Sequence, residues 1–171
     1  MIPDRPAIPE PNHATTKNMR ALELKVPPPL VAVLFGLAMW LAARQLPAVD
    51  LTGQWRLLFT GICAGFGVSV ALLGFLALSQ ANTTINPVNP EKASAVVTGG
   101  VYNYTRNPMY VGLTGLLVGW AIWLSVPWLV LGPVAFMLYL TRFQIIPEER
   151  AMSSKFGRDY DEYRKRVRRW L

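Results

Sequence analysis

Four runs of apolar residues, separated by short polar or proline-containing breaks, dominate the chain. The first extends from Leu30 to Leu46 after Pro27-Pro28-Pro29, and the second, Leu57 to Ser79, contains no charged residue. The third extends from Met109 to Ser125 and the fourth from Trp128 to Ile146. At about 1.5 Å per residue, such helices cross or nearly cross a hydrocarbon layer about 30 Å thick. The first and third need thinning of the layer, tilt, or an extension at one end. Only Ser125-Val126-Pro127 divides the last two runs, which predicts a tight antiparallel hairpin with Trp120, Trp123 and Trp128 around it as interfacial anchors. Glycines four apart predict close helix packing at Gly61 and Gly65 in the second run and at Gly115 and Gly119 in the third. Gly132-Pro133 predicts a kink near the middle of the fourth.

After Ile146 the pattern changes. In PEERAMSSKFGRDYDEYRKRVRRWL, the residues Met152, Phe156, Tyr160, Tyr163 and Val167 recur every three or four positions, the apolar stripe of a helix. Gly157 divides that helix in two, and its charged face suits a helix lying on the cytosolic membrane surface. The expected fold is therefore all-α and integral to the membrane. It has a cytosolic tail (1–28), a four-helix transmembrane bundle (29–147) that includes a site loop (80–108), and an amphipathic cytosolic C-terminal segment (148–171). The charges spread through the first 28 residues do not fit a cleavable signal peptide.

Composition supports this picture. Of 171 residues, 52% are hydrophobic and 16% charged, too apolar a balance for an ordinary soluble domain of this size. The net charge of +7 is unevenly placed: fifteen of the seventeen Lys and Arg fall in the N-terminal tail, the middle loop and the end of the chain from Arg142 onward. Only Arg44 and Arg56 occupy the first short loop. The positive-inside rule then places both termini in the cytosol, in a bacterial chain at the inner membrane, with membrane lipids rather than nucleic acid as partners of the basic residues. One cysteine, Cys63, and one histidine, His13, give no disulfide and no basis for a metal site or a Cys–His pair.

Polar groups gather at the cytosolic ends of the hairpin. Arg106, Asn107 and Tyr110 open the third run, while Arg142, Glu148 and Glu149 close the fourth. Each has an ordinary explanation alone: arginines snorkel, and carboxylates after a proline favour a helix N-terminus. Together they offer cations, carboxylates, an amide and a phenol to a charged soluble ligand where bilayer meets water.

The stretch TGGVYNYTRNPMYVG, a helical hairpin, then PEER and FGRDYDEYRKRVRRWL strongly resemble the membrane methyltransferases related to isoprenylcysteine carboxyl methyltransferase and the phospholipid methyltransferases. The pattern there is Gly-x-Tyr, Arg-His-Pro-x-Tyr-x-Gly, a hairpin, Glu-Glu and Phe-Gly-x-x-Tyr-x-x-Tyr. The resemblance covers Thr98 to Leu171 and, more loosely, Asn82 to Pro90; the first two runs match only as apolar helices. The family's His is Asn107 here, as in bacterial relatives that read Arg-Asn-Pro. Asn keeps a donor and an acceptor but cannot titrate.

The resemblance implies S-adenosylmethionine in a cytosol-facing pocket, with Gly100, Tyr102, Arg106, Asn107, Tyr110, Gly112, Arg142, Glu148 and Glu149 as cofactor-binding residues and Arg106 and Glu149 as catalytic ones. Arg106 or Arg142 would meet the cofactor carboxylate, and Glu148 or Glu149 its ribose hydroxyls or ammonium. Tyr102 and Tyr110 would offer hydroxyl or ring contacts, and Gly100 and Gly112 close backbone approach. Glu149 would act as base for an amine acceptor. Arg164 to Arg169 would hold an anionic head group or face lipid. The implied acceptor is lipophilic, an isoprenylcysteine-like carboxylate or a lipid head group. Two other readings stand beside this one: an NADPH-dependent membrane reductase of the sterol reductase type, and a non-catalytic membrane scaffold.

Overall fold

A computed structural model describes residues 23–49, 52–81 and 93–171, and every regular element among them is helical. Most of the expected N-terminal tail, His13 and the Asn82–Pro90 stretch lie outside the described residues. In chain order the elements are α1 (Pro28–Ala43), α2 (Gly53–Gln80), a 3-10 turn (Gly100–Asn103), α3 (Pro108–Leu124), a second 3-10 turn (Pro127–Val130) and α4 (Leu131–Leu140). A π-helical turn (Thr141–Ile145), α5 (Ile146–Phe156) and α6 (Arg158–Arg166) follow. Pro28 and Pro108 sit in the first turns of α1 and α3, where the missing N–H would be unpaired anyway.

Two helical stretches, Gly53–Gln80 and the continuous Pro127–Phe156, are long and apolar enough to cross a bilayer; Pro28–Ala43 and Pro108–Leu124 are apolar but shorter. Large side chains stand exposed on the outside of the bundle, among them Val33 and Leu37 of α1, Ile62 and Leu73 of α2, and Leu131 and Leu138 of α4. Helices apolar on every face belong in lipid or in a large core. Here α3 is the central helix and meets α1, α2 and α4. Val31, Met39, Tyr110, Leu117, Leu129, Phe136, Leu140 and Ile145 pack the interior, with Phe35 edge-on to Phe136 at 5.6 Å.

The α2–α3 seam is made by glycine, though not by the expected α2 pair. Gly61 and Gly65 face open space, whereas Gly67 and Gly74 meet α3. A Cβ at Gly67 would lie 2.6 Å from the carbonyl oxygen of Gly112, and one at Gly112 would lie 2.5 Å from that of Gly67. Gly115 and Gly119 extend the contact past Gly67 and Cys63, and Gly74 admits Pro108. Spacing alone misled because four-residue periodicity places glycines on one face without saying which face meets a neighbour.

Two further expectations change. Trp123 and Trp128 are exposed, but the Trp120 indole donates to the Gly36 carbonyl at 3.0 Å and ties α3 to α1. Gly132 and Pro133 lie in the first turn of α4, not at a mid-helix kink, and Gly132 makes room for Met39. The irregularity falls instead at Thr141–Ile145. There the α-helical partner of the Phe143 carbonyl would be the N–H of residue 147, which is a proline, and the Leu24 N–H takes that carbonyl at 3.1 Å. Glu23, beside it, pairs with both Arg142 and Arg150, so the segment before α1 is fastened to the π turn.

The seam predicts a sharp contrast. Gly112→Ala and Gly67→Ala should each destabilise the protein in detergent by about 1–3 kcal/mol through overpacking, while Gly61→Ala and Gly65→Ala leave it unchanged or more stable. Thermal unfolding of the four variants checks it.

Candidate functional site

The loop ahead of α3 carries the first part of the site. Gly100 opens the 3-10 turn at φ +60, a backbone conformation that favours glycine, with open space where a side chain would stand. The turn buries Tyr102, and the chain then runs through Thr105, Arg106 and Asn107 into α3. The second part comes from the far side of the hairpin. The π turn and Pro147 bring Gln144, Glu148 and Glu149 to the same end of the bundle.

Two carboxylates adjacent in sequence occupy different surroundings. Glu148 accepts from the Tyr110 hydroxyl and from Gln144 Nε2 at 2.7 Å, both on Oε1; its Oε2 carries no hydrogen bond from the described residues. Glu149 is buried among guanidinium groups. Arg169 grips it with a two-pronged fork, Nε to Oε1 at 2.9 Å and Nη2 to Oε2 at 2.7 Å. Arg106 Nη1 stands 3.0 Å from Oε1, and Arg164 approaches Oε2 at 4.0 Å. Such a fork engages both carboxylate oxygens at once. Glu149, expected as a general base, thus stands as the shared counter-ion of Arg106, Arg164 and Arg169.

Arg106 is the notable cation. Its side chain is only 9% exposed, yet Nε and Nη1 make no hydrogen bond of acceptable geometry among the described residues. Buried donors of this kind cost stability unless a ligand meets them. Asn107 is engaged differently: its Nδ2 donates to the Arg169 carbonyl at 2.9 Å. Arg142 points to Glu23 and lies against Phe143, so it belongs to the N-terminal clasp rather than to the Arg106–Glu149 cluster. Gly112 faces Gly67 and Ala71, which gives its missing side chain to helix packing instead of ligand approach.

The C-terminal helices close the cluster. Gly157, at φ +53, turns the chain so that α6 folds back and buries Tyr160 and Tyr163, the latter donating to the Tyr102 carbonyl at 2.8 Å. The tyrosines of the expected lipid-facing stripe are thus turned onto the site. Burial, reinforced by Glu149, pushes the Tyr160 phenol up to about 12, and burial raises Tyr102 and Tyr163 as well. Sequence reasoning had no signal for Arg169, Gln144 or Thr105. Arg169 was one member of a basic run, and its partner lies twenty positions away.

These features define an apolar helical bundle with a buried, ion-paired polar cluster at one end. The chain belongs to the phospholipid methyltransferase family, whose sequence profile matches residues 55–159. A probable protein-S-isoprenylcysteine O-methyltransferase of Oryza sativa is 30% identical over 122 residues, 69% of this chain and 62% of the rice protein. Protein-S-isoprenylcysteine O-methyltransferase B of Arabidopsis thaliana is 31% identical over 114 residues, 61% of this chain and 56% of the relative. The chain therefore spans about three fifths of the length of these plant relatives. A Haemophilus influenzae protein of uncharacterised function is 45% identical over 65 residues, 37% of this chain and the whole of that protein. No solved structure matches.

Removing the Glu149 carboxylate should be costly. Glu149→Ala leaves Arg106 buried beside Arg169 without compensation and should lower unfolding stability by about 3–5 kcal/mol. Alkali should act through Tyr160. The unfolded phenol ionises near its ordinary value of 10 while the folded one does not, so the Tyr160 contribution to stability is level below pH 10 and falls as pH rises from 10 to 12. Unfolding midpoints across that range should decline less steeply in Tyr160→Phe.

Proposed function

We propose that this protein is a membrane methyltransferase that uses S-adenosylmethionine and acts on a lipophilic or membrane-associated acceptor. The observation that carries the reading is Arg106: a buried guanidinium beside Glu149 whose Nε and Nη1 make no hydrogen bond among the described residues, at the same polar end of an apolar bundle as Glu148 with its open Oε2. Family membership supplies the chemistry; the residues supply the fit.

The donor set suits the cofactor. Arg106 is the cation for its carboxylate, because Arg142 is already occupied by Glu23. Glu148, through Oε2, is the acceptor for its ammonium or ribose hydroxyls, held in place by Tyr110 and Gln144. Tyr102 and Gly100 flank them on the loop, and Gly100 leaves its side open. When bound, the cofactor supplies an electrophilic methyl on a sulfonium. The protein has only to orient the acceptor and keep the site dry, which intramolecular positioning can make worth several kcal/mol. Since Glu149 is committed to arginine, an acceptor that is already nucleophilic, such as a carboxylate, suits the site better than an amine that must first lose a proton.

In this reading α1 to α4 form a four-span bundle with both termini in the cytosol, in a bacterial chain at the inner membrane. The basic distribution supports that orientation, and the two arginines of the opposite end are covered by aromatic rings, Arg44 by Trp40 at 3.7 Å and Arg56 by Trp123 at 4.9 Å.

Calorimetric titration of the detergent-purified chain with S-adenosylmethionine and S-adenosylhomocysteine, with NADPH as the control, tests the assignment. Both sulfur nucleosides should bind, and Arg106→Ala or Glu148→Gln should weaken them by about tenfold or more. Folded protein that binds neither overturns the reading; a signal from NADPH alone points to a reductase.

A further inference from the structure

The last residues of the chain do more than end it. Beyond α6 the backbone extends at Val167 and lies across the turn that carries Arg106. The Arg106 N–H donates to the Arg168 carbonyl at 3.0 Å. Thr105 Oγ1 and Asn107 Nδ2 both donate to the Arg169 carbonyl, at 3.3 and 2.9 Å. The Trp170 indole donates to Thr141 Oγ1 at 3.1 Å and fastens the strap to the π turn. All of this presents one side chain, Arg169, to Glu149.

The fork has a consequence for Arg106. A carboxylate beside two guanidinium groups can form a two-pronged fork with only one of them at a time, and its remaining lone pairs meet the other at less favourable angles. Here it faces Arg169, and Arg106, though 3.0 Å from Oε1, keeps unbonded N–H groups. We propose that Arg169 is a positioning residue: by occupying both oxygens of Glu149 it keeps that carboxylate from closing on Arg106, and so reserves Arg106 for the carboxylate of an incoming ligand. Without Arg169, Glu149, already 3.0 Å from Arg106 Nη1, is free to turn both oxygens onto Arg106 and satisfy it internally. The inference rests on the cofactor reading above and adds to it the source of the site's preference for the amino-acid end of the ligand.

The experiment compares two ligands on the full-length protein in detergent. S-Adenosylhomocysteine carries the carboxylate; 5′-methylthioadenosine has the same nucleoside and thioether but no amino-acid group. In the wild type the first should bind more tightly. Arg169→Gln should weaken S-adenosylhomocysteine by about tenfold while leaving methylthioadenosine unchanged, so the ratio of the two affinities collapses. Arg169→Lys, which keeps the charge but cannot form the fork, should fall between. In an Arg106→Gln background, Arg169→Gln should have no further effect on the ratio. Equal weakening of both ligands, or an unchanged ratio, overturns the inference; Arg169→Lys carries the same comparison should Arg169→Gln fail to fold. Wild-type protein that binds neither nucleoside overturns the cofactor reading itself, whereas wild-type binding with an unaltered ratio in the variants overturns only the role of Arg169.

Discussion

A carboxylate withdrawn from water at the end of an apolar bundle has to be matched by positive charge, and no single element of this chain can match it alone. Glu149 stands at the start of α5, and its partners come from the loop before α3, from α6 and from the C-terminal strap. Desolvating such a charge costs several kcal/mol unless the pairing geometry is good, so these segments are bound to one arrangement. Asn107, Thr105 and Trp170 then serve a common end, since each fixes the strap from which Arg169 reaches the carboxylate. The polar site and the C-terminal architecture are in this sense one structure.

The cluster needs a rigid frame, and the α2–α3 seam supplies it without large side chains. In lipid, apolar burial gives helices little reason to associate, and close backbone approach with dispersion contact takes over. The reciprocal fit of Gly67 and Gly112 puts the start of α3, with Arg106 just before it, at a defined place along α2. The hydrogen bond from Trp120 to Gly36 and the Thr60 hydroxyl bond to Gly119 anchor its far end. Arg106 can therefore be aimed by a helix rather than by a loose loop.

How much of this the chain announces depends on the range of the interaction. The apolar runs were legible because lipid-scale helices need only local composition; Pro108–Leu124 differs from Met109 to Ser125 by one residue at each end, whereas the last helix runs on past Ile146 to Phe156. Gly157 was legible as a break because its punctuation is local. The Arg106–Glu149 juxtaposition followed from hairpin topology and motif order. What escaped was pairing across distance. Nothing near Arg169 marks it off from Arg164, Arg166 or Arg168, and nothing near Arg142 reveals Glu23. The face of α2 that meets α3 was equally hidden, since two glycine registers compete in one helix and only contact with α3 decides between them.

The π turn bears on how the site was built into this helix. In an α-helix each residue advances the side chains by about 100°, whereas the wider π turn at Thr141–Ile145 takes up one extra residue, so everything after it lies roughly that angle from where an unbroken α-helix would place it. Glu148 and Glu149 owe their heading to that offset, with the Pro147 gap at Phe143 covered by the Leu24 N–H. Were Thr141–Ile145 regular α-helix over the same residues, length and hydropathy would be nearly unchanged, yet both carboxylates would swing away from Arg106. The width of one turn, as much as the identity of the residues after it, sets where these carboxylates point.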